Sequence, residues 1–272
     1  MIKRLMFLWL AVVFGLVACG DDGGAGDGGV NPVEADPLAF NPADMVIQWP
    51  ETTDHILFRA DVTHRNAEDD FFARTGIPPC TIYGDGRVVW TTDAQNPIDS
   101  VLVGPVDEPR IRGFISNLTL REIYRFDAQA DIRAGEDVPV VETLVLDVND
   151  VRHVTDIYGG WNRPFFNEIV TQCRNLSPRP QIFRPTALWL RVQEQDYNYN
   201  APAIIWDAAV TGINLAAIAD SGQPAWIEGR AVDLLWAYRM RSPLDLQYTQ
   251  GQRTFVITVE IPGITRFSPP AP

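Results

Sequence analysis

Two cysteines in the body of the chain, Cys80 and Cys173, are the first residues with distinctive chemistry. In an oxidising compartment they would pair, and a disulfide closing so long a loop stabilises a fold by about 3–5 kcal/mol in the chain-entropy picture. Cys173 also lies on the apolar face of a predicted helix, which equally suits a buried free thiol. No histidine is implicated beside either cysteine, so a cysteine nucleophile is not indicated.

One short polar stretch contains groups that bind divalent cations. Asp61, His64 and Asp69 lie in it, and carboxylates and imidazoles are common ligands for such ions. Their spacing matches no metal motif, so we interpret the stretch as a charged loop that follows a strand. The other histidines are His55 and His153, and we predict neither a metal site nor a cofactor.

Catalytic motifs do not occur in this sequence. It lacks a Gly-x-Ser-x-Gly nucleophile elbow, and none of its serines has the context of a nucleophile. The 35 acidic residues allow too many pairs for a glycosidase site to be singled out. Lys3 is the only lysine, which excludes a Walker A loop and a Schiff-base lysine. We therefore predict no catalytic residue.

The aromatic residues are more suggestive. Tyr197-Asn198-Tyr199-Asn200 is typical of an exposed loop, and Trp189 and Trp206 are near it in the sequence. Aromatic rings beside amide side chains are suited to contacts with sugars or peptides. The ordinary alternative is that the tryptophans fill the core and the loop tyrosines cover it.

Composition limits the class of protein. The chain has 272 residues, of which 46% are hydrophobic, and a formal net charge of −13. This length allows one large domain or two small ones, and the apolar fraction is that of a folded protein. The acidic balance argues against binding to nucleic acid and against docking on anionic lipid headgroups through a basic face.

Residues 1–18 have the layout of a secretory signal peptide, with Lys3 and Arg4 before an apolar run over 5–14. The run is shorter than the roughly 20 apolar residues that span a bilayer. Leu16-Val17-Ala18-Cys19 resembles the bacterial lipobox. The resemblance implies cleavage before Cys19, acylation of that cysteine, with palmitate for example, and anchoring of an exported lipoprotein to the membrane.

Residues 19–44 carry Cys19 and a flexible tether rich in glycine and aspartate. A calcium loop is the alternative, but the aspartate spacing matches no calcium motif. In bacterial lipoproteins an aspartate directly after the lipidated cysteine favours retention in the inner membrane. Gly20 occupies that position here, so we expect the outer membrane where the organism has one.

Residues 45–267 are predicted to form one α+β domain, with antiparallel sheets built from hairpins and a few short packed helices. We predict a strand over 55–62, hairpins that turn at Gly84-Asp85-Gly86 and at Asn149-Asp150, and a last hairpin over 246–261. Three prolines in 177–185 suggest a subdomain boundary, although strands on both sides could share one sheet.

Three helices are predicted by capping residues and apolar spacing. Thr119-x-x-Glu122 has the pattern of a capping box that begins a helix. Pro164 suits the first turn of a second helix over 165–176, and a third is expected over 231–241.

Six short motifs follow one another in the predicted domain: Tyr83-Gly84-Asp85-Gly86-Arg87-Val88, Leu118-Thr119, Glu142-Thr143-Leu144-Val145, Arg184-Pro185, Trp206-Asp207 and Ile227-Glu228-Gly229-Arg230. In this order they resemble an uncharacterised family of bacterial secreted and lipid-anchored proteins, and the resemblance covers about 56–264. The ending Val259-Glu260-Ile261-Pro262 departs from the proline- and leucine-rich end expected of the family. The family implies no activity, so no site residues follow from it.

The sequence therefore predicts a lipid-anchored protein of the cell envelope and favours a non-catalytic binding or scaffolding module over an enzyme. Its expected partners are the membrane, through the lipid, and an envelope protein or glycan. The alternatives are an envelope hydrolase that acts on glycan or peptide, and a subunit of an exported complex.

Overall fold

The computed structural model describes residues 47–64, 67–92, 101–129, 140–162, 164–243 and 245–272. In these residues two sheets and several short helices confirm the predicted α+β class. The predicted signal peptide, lipobox and tether, residues 1–44, lie outside the described residues. None of the described helices combines the length and apolar character needed to cross a membrane.

The first sheet has seven strands, all paired antiparallel, in the order β6-β5-β1-β2-β3-β4-β7. Its strands are β1 Ile56–Thr63, β2 Cys80–Tyr83, β3 Arg87–Thr91, β4 Val101–Pro105, β5 Val141–Val148, β6 Val151–Asp156 and β7 Gln181–Ile182.

The second sheet has five strands in the order β10-β8-β12-β11-β9. Its strands are β8 Ala187–Gln195, β9 Ala203–Ile205, β10 Ala225–Glu228, β11 Gln247–Gln250 and β12 Arg253–Glu260. Strand β9 pairs with β11 in parallel, whereas the other pairs are antiparallel. The parallel pair is possible because three helices and β10 separate β9 from β11 along the chain.

The described α-helices are α1 Glu108–Leu120, α2 Phe165–Arg174, α3 Ala208–Thr211, α4 Leu215–Ser221 and α5 Arg230–Arg241. The predicted helices over 165–176 and 231–241 correspond to α2 and α5. Asp107, Asp207 and Asn214 begin α1, α3 and α4, and each side chain accepts a hydrogen bond from a backbone N–H of the first turn.

The predicted capping box at Thr119 and Glu122 is wrong. The Thr119 hydroxyl donates to the carbonyl of Ile115 inside the last turn of α1, and Glu122 has a left-handed backbone with φ 59°. The helix begins instead at Asp107. A Thr-x-x-Glu pattern spans only four residues, so it can also occur by chance at the end of a helix. The buried apolar residues of α1 lie before Thr119.

The predicted hairpins are confirmed, and their turns have clear physical reasons. Asn149 and Asp150 both have positive φ, 53° and 58°, as a two-residue turn matching the strand twist requires. In the β2–β3 turn Gly86 has φ 79°, and a Cβ on Gly84 would lie 1.9 Å from the carbonyl oxygen of Pro50. The glycines of this motif are therefore required by turn geometry and close packing.

Two hydrophobic cores lie on opposite faces of the first sheet. The first core packs this sheet against α1 and α2, with Phe58, Ile82, Ile115, Leu118 and Ile169 among its buried residues. The second core combines the other face, through Tyr83 and Val89, with the second sheet, α4 and α5. Between β7 and β8, inside the predicted boundary 177–185, the chain passes from one sheet to the other.

Candidate functional site

Cys80 and Cys173 form a disulfide that joins β2 to α2 inside the first core. Their Cα atoms are 6.3 Å apart, and 93 residues separate them along the chain. Both cysteines are fully buried, so this bond is a structural link and not an accessible reactive group. Cys19 lies outside the described residues.

The polar stretch after β1 does not assemble into a metal site. Arg266 donates to both carboxylate oxygens of Asp61, at 2.6 and 2.7 Å. His64 contacts Asp70, at 3.3 Å. Within the described part of the chain, no three histidine, cysteine, aspartate or glutamate side chains are arranged to share a metal ion. Asp61 instead fastens the C-terminal segment to β1.

An exposed apolar surface surrounds β9 at the open edge of the second sheet. We call it the β9 surface and define it by Tyr197, Tyr199, Ile205 and Val210. Their exposed fractions are 45%, 91%, 89% and 81%. The rings of Tyr197 and Tyr199 meet edge to face with centroids 5.0 Å apart. Large side chains exposed at one sheet edge are typical of a binding surface.

The two tryptophans that are near the tyrosine loop in the sequence serve the fold. Trp206 is buried, donates its indole N–H to the carbonyl of Ile213, and packs against Tyr248. Trp189 packs against Trp226 and donates to the carbonyl of Pro270. The predicted exposed tyrosine loop is therefore present, but the tryptophans do not share its surface.

The side chain of Gln247 positions the tyrosine loop. It is fully buried, and its amide nitrogen donates to the carbonyls of Asn198 and Ala201. Its amide oxygen accepts hydrogen bonds from the backbone N–H of Asn198 and from the side chain of Gln195. Gln247 could not be predicted from the sequence, because none of its neighbouring residues indicates that it is buried.

The backbone of β9 has one open edge. Pro202 accepts a hydrogen bond from the N–H of Gln247, and the N–H of Trp206 donates to the carbonyl of Thr249. Because backbone groups alternate along a strand, the N–H and C=O groups of Ala203 and Ile205 point away from β11. No strand among the described residues pairs with that side of β9. These backbone groups can therefore pair with an added strand.

Side-chain hydrogen bonds fix the starts of the two helices that follow β9. Asp207 accepts from the backbone N–H groups of Ala209 and Val210 at the start of α3. Gln250 donates to the side chain of Asn214 and accepts from the N–H of Leu215 at the start of α4. These contacts fix the starts of α3 and α4, and the exposed Val210 lies in α3.

Arg253 links the end of β8 to α4 by pairing with Glu194 and Asp220. The closest contacts are 2.6 Å to Glu194 and 2.7 Å to Asp220. Hydrogen bonds from Arg253 lower the pKa of both carboxyl groups, so both remain charged at neutral pH. These exposed ion pairs are a structural connection between β8, β12 and α4.

A shallow groove of about 280 Å³ combines acidic side chains with an aromatic ring. Trp49, Asp85 and Glu108 line it. Arg112 pairs with Glu108 and lies 4.9 Å from the ring centre of Trp49. Asp85 accepts from the backbone N–H of Arg87, which shapes the hairpin turn. Because both carboxylates already make these structural contacts, the groove does not favour a catalytic pair of acids.

No protein-family model matches this chain, and comparisons with curated proteins and with solved structures find no similar protein. The resemblance to a lipid-anchored family therefore rests on the sequence motifs alone. The β9 surface has to be interpreted from its own chemistry.

Proposed function

We propose that this chain is a lipid-anchored protein of the cell envelope whose folded domain binds an extended segment of a partner protein along β9, without catalysis. The observation that carries the proposal is the open edge of β9, where Ile205 is 89% exposed beside unpaired backbone groups. A partner strand would supply hydrogen bonds to Ala203 and Ile205 and cover the exposed side chains.

The chemistry of the surface indicates the partner segment. Apolar side chains at alternate positions would pack against Ile205 and Tyr199. Asp196 and Asp207 are exposed on either side of β9, and the chain as a whole carries a formal charge of −13. Basic residues that flank the apolar core of the segment would therefore be attracted to this edge.

A synthetic peptide tests this binding mode on the full chain in detergent. The probe is a nine-residue peptide in which valine and threonine alternate between pairs of lysines. We expect Ile205→Lys to weaken its binding at least 10-fold, because the new charge repels the peptide lysines and the apolar contact is lost. Isothermal titration calorimetry measures both affinities.

Val151→Lys is the matched control, because Val151 is also an exposed apolar residue on an edge strand, with an exposed fraction of 62%. Its peptide affinity should equal that of the wild type. A peptide methylated at alternate backbone nitrogens should bind much more weakly, since it cannot pair with β9. Equal binding of the methylated peptide, or no binding of the unmodified one at millimolar concentration, would contradict the proposal.

The proposed anchor is Cys19, supported by the lipobox resemblance of Leu16-Val17-Ala18-Cys19. We expect Cys19→Ala to abolish incorporation of labelled palmitate and to release the chain from membranes, because the acyl chains would supply the attachment. Fractionation of labelled cells measures both effects, with Cys80→Ala as the control that keeps the label. A labelled, membrane-bound Cys19→Ala variant would contradict this anchor.

A further inference from the structure

A small cavity inside the second core contains an arginine without a counterion. The cavity has a volume of about 30 Å³ and is lined by Phe72, Thr75, Tyr238, Arg239, Leu246 and Tyr248 among others. Arg239 extends from α5, and its guanidinium donates one hydrogen bond, of 3.1 Å, to the backbone carbonyl of Thr75.

The other donors of Arg239 are not satisfied by the described residues. Its Nε is buried and has no hydrogen-bond partner, and no carboxylate of the described chain forms an ion pair with it. Burial lowers the pKa of Arg239 to about 10, which still leaves the group charged at neutral pH. A buried cation without a counterion is costly, so an anion beside it would be stabilising.

The size and lining of the cavity select the kind of anion. One water needs roughly 10–15 Å³, so the cavity has space for about two oxygen atoms. A planar guanidinium matches the two oxygens of a carboxylate better than it matches a single spherical ion. Phe72, Leu246, Ile257 and Val259 add apolar surface to the lining, so the guanidinium of Arg239 is the feature of this cavity that selects for an anion.

We propose that this cavity is a binding site for the carboxylate group of a small organic acid, held by the guanidinium of Arg239. Tyr248 and Ser242 also line the cavity, and their hydroxyl groups are additional donors for the second oxygen. The site is separate from the β9 surface, so it does not depend on the proposed capture of a partner segment.

Thermal unfolding of the full chain in detergent tests this site. At an affinity of about 1 mM, 100 mM sodium acetate should raise Tm by about 5 °C, whereas 100 mM sodium chloride should not. Formate and acetate test a free acid. N-acetylglycine and its amide test the carboxyl end of a peptide chain, and the amide should have no effect.

Arg239→Gln should weaken acetate binding at least 10-fold, since the side chain keeps a donor for Thr75 but loses the charge. Arg241→Gln is the matched control, because Arg241 is exposed on the same helix. Saturation-transfer NMR with acetate gives a readout on the wild type that does not depend on the stability of any variant. Equal Tm shifts in acetate and chloride, or no saturation transfer to any of the acids, would overturn the proposal.

Discussion

Gln247 shows how one buried amide can position a binding surface. Its four hydrogen bonds reach Gln195, Asn198 and Ala201, and three of them are to backbone groups of the loop that carries Tyr197 and Tyr199. A buried polar side chain is stabilising only when its donors and acceptors are paired, as they are here.

We expect Gln247→Leu to lower the free energy of unfolding by about 2–3 kcal/mol, because it leaves the backbone groups of Asn198 and Ala201 without their partner. The affinity for the valine–threonine peptide should fall as the tyrosine loop loses its position. Chemical denaturation and calorimetry measure the two effects. Gln195→Leu is the control, since it removes a single 3.4 Å bond and leaves no backbone group unpaired. If both variants lost the same unfolding free energy and the same peptide affinity, Gln247 would not be the residue that positions the tyrosine loop.

Arg239 lacks the carboxylate partner that three other arginines of the described chain have. Arg266 pairs with Asp61, and Arg74 and Arg191 both pair with the fully buried Glu260. In those contacts the charge of each arginine is balanced by a carboxylate. An external carboxylate would give Arg239 the same balance.

At the scale of elements, β9 is the exception in the second sheet. It has three residues, it pairs in parallel with β11, and it lies at the end of the strand order. Proteins commonly protect such edges with charged or proline residues, whereas β9 exposes Ile205. The Ile205→Lys experiment introduces the missing protection, which is why it should block an added strand and leave the sheet intact.

An edge strand of the first sheet provides the comparison. Strand β6 ends that sheet and also exposes an apolar residue, Val151. Tyr124, which is 44% exposed, packs against His153 of β6, and the hairpin of β6 with β5 is closed by the Asn149-Asp150 turn. Val151→Lys is the control for the β9 surface because it places the same charge on an edge strand of the other sheet.

At the scale of the whole molecule, polar links connect segments that are distant along the chain. Asp61 on β1 holds Arg266 near the C-terminus, and Glu260 on β12 holds Arg74 and Arg191. The Cys80–Cys173 disulfide connects β2 to α2 in the first core. Together these contacts join the first sheet, its helices and the C-terminal segment.

Reduction of the disulfide should destabilise the fold by about 4–5 kcal/mol, as the chain-entropy model gives for a loop close to 100 residues. Denaturant unfolding with and without reductant measures this difference. The Cys80→Ala/Cys173→Ala double variant should show no change on reduction. Thiol labelling of the unfolded, unreduced Cys19→Ala protein should find no free thiol, and two labelled thiols would contradict the bond.

Local patterns were sufficient to predict much of the fold. Alternating strands around Gly84-Asp85-Gly86 and Asn149-Asp150 predicted both hairpins, because turn residues and strand patterns act over a few positions. The apolar spacing after Pro164 predicted α2 for the same reason. The prediction at Thr119 and Glu122 was wrong, since a four-residue pattern does not distinguish the start of a helix from its end.

The sequence by itself determined the α+β class, the hairpins and the exposure of the Tyr197–Tyr199 loop, because these depend on contacts between near neighbours. It left open whether Cys80 and Cys173 are paired. Only the tertiary structure brought the two cysteines together, buried Gln247 beneath the loop, and placed Arg239 in a cavity without a carboxylate. Those features depend on residues distant along the chain, and packing of the two sheets decides which of them meet.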